Sequence, residues 1–337
     1  MVMDLTDDVK VTRYLSEAVN ARQSLIDADH VTAFRMFNGF YEGIPDLVAD
    51  VYGKTLVLVG YGADIDPVQL LLQQARDFYL ESLPWITCVI NKYRAVEAPE
   101  LCRGTITFGS KPETEIMEHG CKYALDLLMN QDNSLYLDTR NLRKWLLEQS
   151  VGVEVLNTFA YTGSLGVAAL AGGASQVTQV DRNQRFLDVA RRSAVLNHLD
   201  LGKMRVTAVD FFVEVGQLKR KGRLFDLVIL DPPFFSVTGK GTVDQVENST
   251  RLINKIRPLV KDGGRIIAIN NALFLSGEDY MKSLKTLDQN GFLQIQEIIP
   301  VPSDITGYPE TVRGNPPVNP SPFNHATKIA VLSVKQK

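Results

Sequence analysis

Four features able to do chemistry recur in order through the second half of the sequence: a glycine turn, Asp181, Asp210 and Asp231. The turn, Thr158-Phe159-Ala160-Tyr161-Thr162-Gly163, follows a short apolar run from Val153 to Leu156 and leads into small residues through Ala171. A second apolar run, Val177 to Val180, ends at Asp181, which lies 18 residues beyond Gly163. Backbone N–H groups in such a turn can face a ligand, and a carboxylate ending the next strand can accept from both ribose hydroxyls. Only Gly163 and Gly166 occupy the turn, short of the three glycines that grip a pyrophosphate. A nucleoside without phosphates, such as S-adenosylmethionine, therefore fits better than NAD. Asp210 can accept from an adenine amino group, and Phe211 beside it can cover the ring. Asp231 runs straight into Pro232-Pro233-Phe234-Phe235. There a carboxylate and a prolyl-linked carbonyl can accept from a base amine, with an aromatic ring stacked on the base. Any one of these acids could merely cap a strand. Three acids and a glycine turn in order point to a site.

The elements that would position them form a parallel α/β sheet. From residue 151 onward, apolar strand-like runs alternate with helical patterns, as a doubly wound sheet requires. The strands are expected at 153–156, 177–180, 204–209, 225–231, 265–270, 292–299 and 327–334. A helix is expected from about Asp244 to Leu259, then a turn at Asp262-Gly263-Gly264. Ligands of such sheets bind beyond the carboxyl ends of the strands. The linker at 300–326 holds seven of the chain's 15 prolines, and a loop that long inside a compact domain is more often functional than idle. Residues 1–110 read as a small α+β domain. It has a helix over 8–29, β segments over 31–59, and a helix from Asp66 to Leu83 with Leu70, Leu71, Ala75 and Phe78 as its buried stripe. A strand over 86–91 and an irregular stretch over 99–111 follow. Residues 111–150 form a bridge: a hairpin turning at His119-Gly120, then a helix with Asp138 or Thr139 as N-cap. The catalytic domain is expected at 151–337.

At 337 residues the chain has room for two domains with ample core. No apolar run approaches the roughly 20 residues of a membrane span, and the acidic start MVMDLTDDVK lacks the apolar core of a signal peptide. Three cysteines, Cys88, Cys102 and Cys121, show no metal-ligand spacing. The expectation is a cytoplasmic protein, without a metal, in a reducing compartment. The formal net charge of −3 is uneven: residues 1–107 carry 9 Lys+Arg against 15 Asp+Glu, and residues 108–337 carry 27 against 24. A polyanion would meet the second part. Arg140 and Arg143, at i and i+3 of one helix, and Arg313 in the Pro-rich linker are the expected phosphate contacts. The bland reading of the first two is a surface-exposed pair.

Residues 153–236 resemble the catalytic domain of class I S-adenosylmethionine-dependent RNA methyltransferases, nearest the bacterial 23S rRNA large-subunit methyltransferases I and K. The resembling motifs are LNTFAYTGSLGVAALAGGASQVTQVD, VDFF, FDLVILDPPFFS and the upstream SLYLDTRNLR. The middle-domain segment RMFNGFYEGIPDLVADVYG also matches, and the likeness spans most of residues 30–335. It implies a Rossmann-like sheet of order 3-2-1-4-5-7-6 with the last strand antiparallel. No counterpart of the family's N-terminal PUA domain is expected. By the same resemblance Phe159, Ala160, Tyr161, Thr162, Gly163, Asp181, Arg182, Asp210, Phe211 and Asp231 hold S-adenosylmethionine. Asp231, Pro232, Pro233, Phe234 and Asn271 form the acceptor site, and Phe235, Arg140 and Arg143 contact substrate. The implied partner is RNA, with large-subunit rRNA foremost, and a homodimer is among the expectations.

Cysteine placement bears on the acceptor atom. Methylating C5 of cytosine needs a nucleophile to add at C6, and a thiolate does this. Methyltransferase I-like members carry such a cysteine just after the fifth strand, where this chain has Asn270-Asn271 and no cysteine beyond Cys121. A base nitrogen has its own lone pair and needs positioning only. The residues leave a ring nitrogen and an exocyclic amine both open, with guanine the expected base. Asn271 could equally be a turn residue.

Overall fold

A computed structural model describes residues 8–289 and 291–336; the first seven residues of the acidic start lie outside them. The chain divides into two compact units. One runs to Leu137 and includes Pro302–Asn315; the other comprises Asp138–Val301 and the residues from Pro316 onward. Among the described residues no helix is long and apolar enough to cross a membrane.

The first unit is built on a five-stranded sheet: β1 (Ala33–Asn38), β2 (Leu47–Tyr52), β3 (Thr55–Gly60), β4 (Cys88–Tyr93) and β5 (Thr105–Phe108), in that spatial order. Neighbours pair antiparallel except β3 and β4, which are parallel. A parallel pair needs a crossover, and helix Ile65–Ser82 supplies it. That helix buries Val68, Leu71, Leu72, Ala75 and Tyr79. The expected stripe is thus corrected: Leu70 is exposed and Phe78 only partly buried. The first helix stops at Ala21 rather than continuing to residue 29. The stretch expected to be irregular holds a short helix, Pro99–Arg103, and the edge strand β5. A hairpin follows, β6 (Glu115–Glu118) and β7 (Cys121–Ala124), turning at His119 (φ 51°) and Gly120 (φ 77°). Two left-handed turn residues match the right-handed twist of the strands they join.

A buried ion pair anchors this unit. Arg22 Nη1 and Nη2 donate to the two carboxylate oxygens of Glu42, each at 3.0 Å, with both side chains fully buried. Arg22 also donates to the carbonyls of Ala18, Arg35 and Asp304. Asp304 lies in the Pro-rich linker, and its carboxylate accepts from the Arg35 N–H at 2.9 Å. Part of that linker is therefore structural material of the first unit.

The second unit carries β8 (Glu154–Thr158), β9 (Gln176–Asp181), β10 (Met204–Ala208) and β11 (Phe225–Leu230). A hairpin, β12 (Phe235–Thr238) with β13 (Gly241–Asp244), precedes β14 (Val260–Asn270), β15 (Leu293–Ile298) and β16 (Lys328–Val334). The seven-stranded sheet runs β10-β9-β8-β11-β14-β16-β15, with β16 antiparallel to both neighbours. This is the expected order. Both sheet faces are apolar because helices pack on each. Leu156, Val228, Leu230, Ile266 and Ala268 enter one core, while Val155, Leu227, Ile229, Ile267 and Ile269 enter the other. Helix Ser164–Ala171 buries every residue from Leu165 to Leu170, which is why its sequence is apolar all round. Two local expectations change. The helix placed from Asp244 begins only at Ser249, because residues 235–244 form the hairpin. The turn at Asp262-Gly263-Gly264 sits inside β14 as a bulge against β11.

Candidate active site

Strands β8, β9, β10, β11 and β14 are mutually parallel, and their registers bring their carboxyl ends together. Thr158 lies opposite Val180 and Leu230, Asp181 opposite Ala208, and Leu230 opposite Ala268. The loops carrying the predicted residues therefore leave one edge of the sheet. In the turn after β8, Phe159 (φ 55°), Tyr161 (φ 50°) and Gly163 (φ 73°) are all left-handed. For non-glycine residues this is strained backbone, of the kind held at ligand clamps. Asp181 braces the turn: one oxygen accepts from Tyr161 N–H and the other from Asn183 N–H, both at 2.9 Å. A carboxylate has about four acceptor positions, so both oxygens can still take ribose hydroxyls.

Gln179 explains the two glycines. Its fully buried amide donates to the Gly163 carbonyl at 2.9 Å and accepts from Asn157 at 2.8 Å. A Cβ on Gly166 would stand 2.4 Å from the Gln179 amide, and one on Gly163 would stand 2.4 Å from Ala190. The glycines let the turn and helix settle against β9. Ala160 and Thr162 are buried, so their part in a ligand site is limited to backbone.

Asp210 caps helix Phe211–Arg220 through one oxygen, which accepts from Phe212 N–H at 2.9 Å. Phe211 is not open to stack broadly on an adenine, as its residue type suggested. It is 4% exposed, with its ring stacked on Phe159 at 4.5 Å. The pair forms one aromatic wall. Arg182 is exposed just beyond Asp181.

On the acceptor side, Asp231 and Pro232 are sheltered while Pro233, Phe234 and Phe235 are exposed. Phe234 and Phe235 are 48% and 57% exposed, unusual for large apolar rings. Burial and the nearby Asp138 carboxylate push the Asp231 carboxyl up to about 7. Asp138 is itself held by the Thr327 hydroxyl at 2.7 Å. Sequence reasoning placed Asp138 only as a possible helix cap. The cap position belongs to Thr139, whose hydroxyl accepts from Arg143 at 2.8 Å rather than capping the helix. Asn271 is exposed, and its Oδ1 accepts from Gln245 Nε2 at 3.1 Å. Gln245 was missed. No local sequence signal marks it, since its partners lie across the hairpin and on a neighbouring strand.

One expected phosphate contact does not stand. Arg143 is fully buried, so neither the surface-pair reading nor a phosphate contact holds for it. Arg313 pairs with Glu17 and lies over the Tyr14 ring at 4.1 Å. Arg140 is half-buried.

The sequence profile of the S-adenosylmethionine-dependent methyltransferases matches residues 87–304, more than half of the chain. The chain belongs to that family. The ribosomal RNA large subunit methyltransferase I of Escherichia coli is 30% identical over 80% of this chain and 69% of its own length. Bacillus subtilis YwbD, assigned as a ribosomal RNA large subunit methyltransferase, is also 30% identical, over 95% of this chain and 79% of its own. The crystal structure of SMU.776, a methyltransferase by assignment and complexed with SAH, superposes with a TM-score of 0.81 at 22% identity. It covers 99% of this chain and 83% of that one, and shares the fold.

S-adenosylmethionine is thus the methyl donor, and when bound it supplies an electrophilic methyl group on a sulfonium. The methyltransferase's own residues fit it. Asp181 keeps acceptor capacity at the strand end, and Phe159–Phe211 gives an apolar wall. Asp181→Ala is expected to weaken S-adenosylmethionine binding by about 1.5–3 kcal/mol, because an ionised acceptor of hydroxyl donors is lost. Titration calorimetry checks this, and wild-type affinity in the variant would move the ribose site elsewhere.

Proposed function

We propose that this methyltransferase transfers a methyl group to a base nitrogen of RNA, with guanine in large-subunit rRNA as the acceptor. The observation that carries the reading is the acceptor loop. Exposed Phe234 and Phe235 follow Asp231 beyond the strand end, a surface suited to an unstacked base. A carboxylate complements the N–H groups on the Watson–Crick edge of guanine. All three cysteines, Cys88, Cys102 and Cys121, lie in the first unit, which leaves Asn271 where a C5 enzyme needs a thiolate. The E. coli relative's name, ribosomal RNA large subunit methyltransferase I, supports the substrate class. Recognition of the substrate by the first unit, a cytoplasmic location and a homodimer belong to the same proposal, and light scattering checks the last.

Two experiments test it. Nucleoside mass spectrometry of RNA from a strain lacking the protein should show one methylated guanosine missing. Incubation with RNA containing 5-fluorocytidine should leave no covalent adduct, since nitrogen methylation forms no bond between enzyme and base. A gel-stable adduct, or 5-methylcytidine in the digest, would overturn the choice of a nitrogen.

A further inference from the structure

The acceptor loop is short of hydrogen-bond donors of its own. Pro232 and Pro233 carry no N–H, so the loop cannot hold its own shape through backbone donors there. Its carbonyls must be held from outside. One residue, Gln245, holds two of them. Its backbone N–H donates to the Phe234 carbonyl at 3.1 Å, and its side-chain Nε2 donates to the Pro232 carbonyl. The same Nε2 donates to Asn271 Oδ1 at 3.1 Å. The Gln245 carbonyl accepts from Asn270 Nδ2 at 2.8 Å, and Asn270 Oδ1 accepts from Ala272 N–H at 3.0 Å.

Gln245 and Asn270 are both fully buried. The loops they join leave the adjacent strands β11 and β14. Among the described residues Gln245 Oε1 has no donor. A buried acceptor left unpaired is uncommon, and here it shows what sets the orientation. Turning the amide over would aim Oε1 at two acceptor oxygens and strand both N–H groups.

We infer that Gln245 is a positioning residue for methyl transfer, whose amide clamps the Asp231–Phe234 loop to the Asn270–Asn271 loop. This rests on the reading that Asp231–Phe234 holds the acceptor base. The clamp acts through those residues and touches neither base nor donor. Its loss lets the loop drift, and a misplacement of about 1 Å costs about a hundredfold in rate.

The test uses single-turnover transfer of labelled methyl from S-adenosylmethionine to deproteinised rRNA from a strain lacking the protein. Calorimetry of S-adenosylmethionine binding and thermal melting run in parallel. Q245M keeps the volume and loses both donors. It is expected to slow turnover about tenfold to a hundredfold, with cofactor affinity and melting temperature near those of wild type. Q245E keeps the shape but faces two acceptors. Burial raises the pKa of such a carboxyl, so its acid form restores one donor. Its rate relative to wild type should climb as the pH falls from about 8 to about 6, while Q245M stays flat.

A merely structural role does not produce that recovery. Wild-type turnover in Q245M overturns the proposal. So does a loss of turnover that only follows lost melting temperature or cofactor affinity in both variants, and so does a Q245E profile that tracks Q245M at every pH. Wild-type turnover in Asp231→Ala instead overturns the acceptor-loop reading, and the proposal with it.

Discussion

Alanine at Asp231 or Phe234 lowers single-turnover methyl transfer about a hundredfold or more, with S-adenosylmethionine affinity staying within about threefold of wild type. The expectation follows from what each group can do. An ionised Asp231 accepts from the N–H groups of the base and fixes its in-plane position. The exposed Phe234 ring supplies a face on which the base lies. Each is expected to contribute far more to transfer than to donor affinity.

The pH dependence carries a sign. The Asp231 carboxyl is pushed up to about 7, first by burial and then by the Asp138 carboxylate. The ionised form is the acceptor, so the rate rises as pH climbs through about 7. Asp138→Asn removes the second cause and moves the midpoint to lower pH. The same shift acts on folding in the opposite sense. Between the ordinary value of 3.8 and about 7, the folded protein keeps a proton that the unfolded chain has released. The stability this group contributes is therefore full below the ordinary value and is lost as pH rises through about 7. A rate profile flat from about pH 5.5 to 9, spanning the range in which a carboxyl so shifted must titrate, would remove Asp231 from the base.

Glu42→Ala destabilises the first unit by about 3–5 kcal/mol, the effect of leaving one partner of a buried ion pair uncompensated. Arg22 has no exposure, and besides Glu42 its side chain donates to the neutral carbonyls of Ala18, Arg35 and Asp304. Glu42 also accepts from Asn38 N–H at 2.7 Å, so its loss frees a second buried donor. Replacing both members, as Arg22→Met with Glu42→Leu, is expected to cost much less, because no bare charge remains. Trp85 reports on this unit, where it stacks on His30 at 4.3 Å. Urea unfolding followed by Trp85 fluorescence in a Trp145→Phe background gives the measurement. A loss below about 1 kcal/mol, the range of an exposed pair, would mean that water reaches Arg22 and solvates it.

The catalytic sheet was legible in the residues alone, because its signals are local. A buried parallel strand is a largely apolar run, as in FDLVIL, and a chain leaving such a strand must turn at its end, as at Asp181 and Asp231. The glycine turn was legible for the same reason, since Gly163 takes a left-handed φ within a few residues of the strand it follows. What decides the rest is contact between residues far apart in the chain. Arg143 carries a full charge on an amphipathic helix and reads as surface, yet packing buries it against Thr139. Phe211 reads as an open ring and instead stacks on Phe159. Asp304 reads as linker and serves a buried network with Arg22 and Arg35. Gln245 carries no motif at all; only the pairing of β12 with β13 brings it under the Pro232 carbonyl. Periodicity says which way a side chain faces along its own element. Which partner meets it there is set by the folded packing of the whole unit.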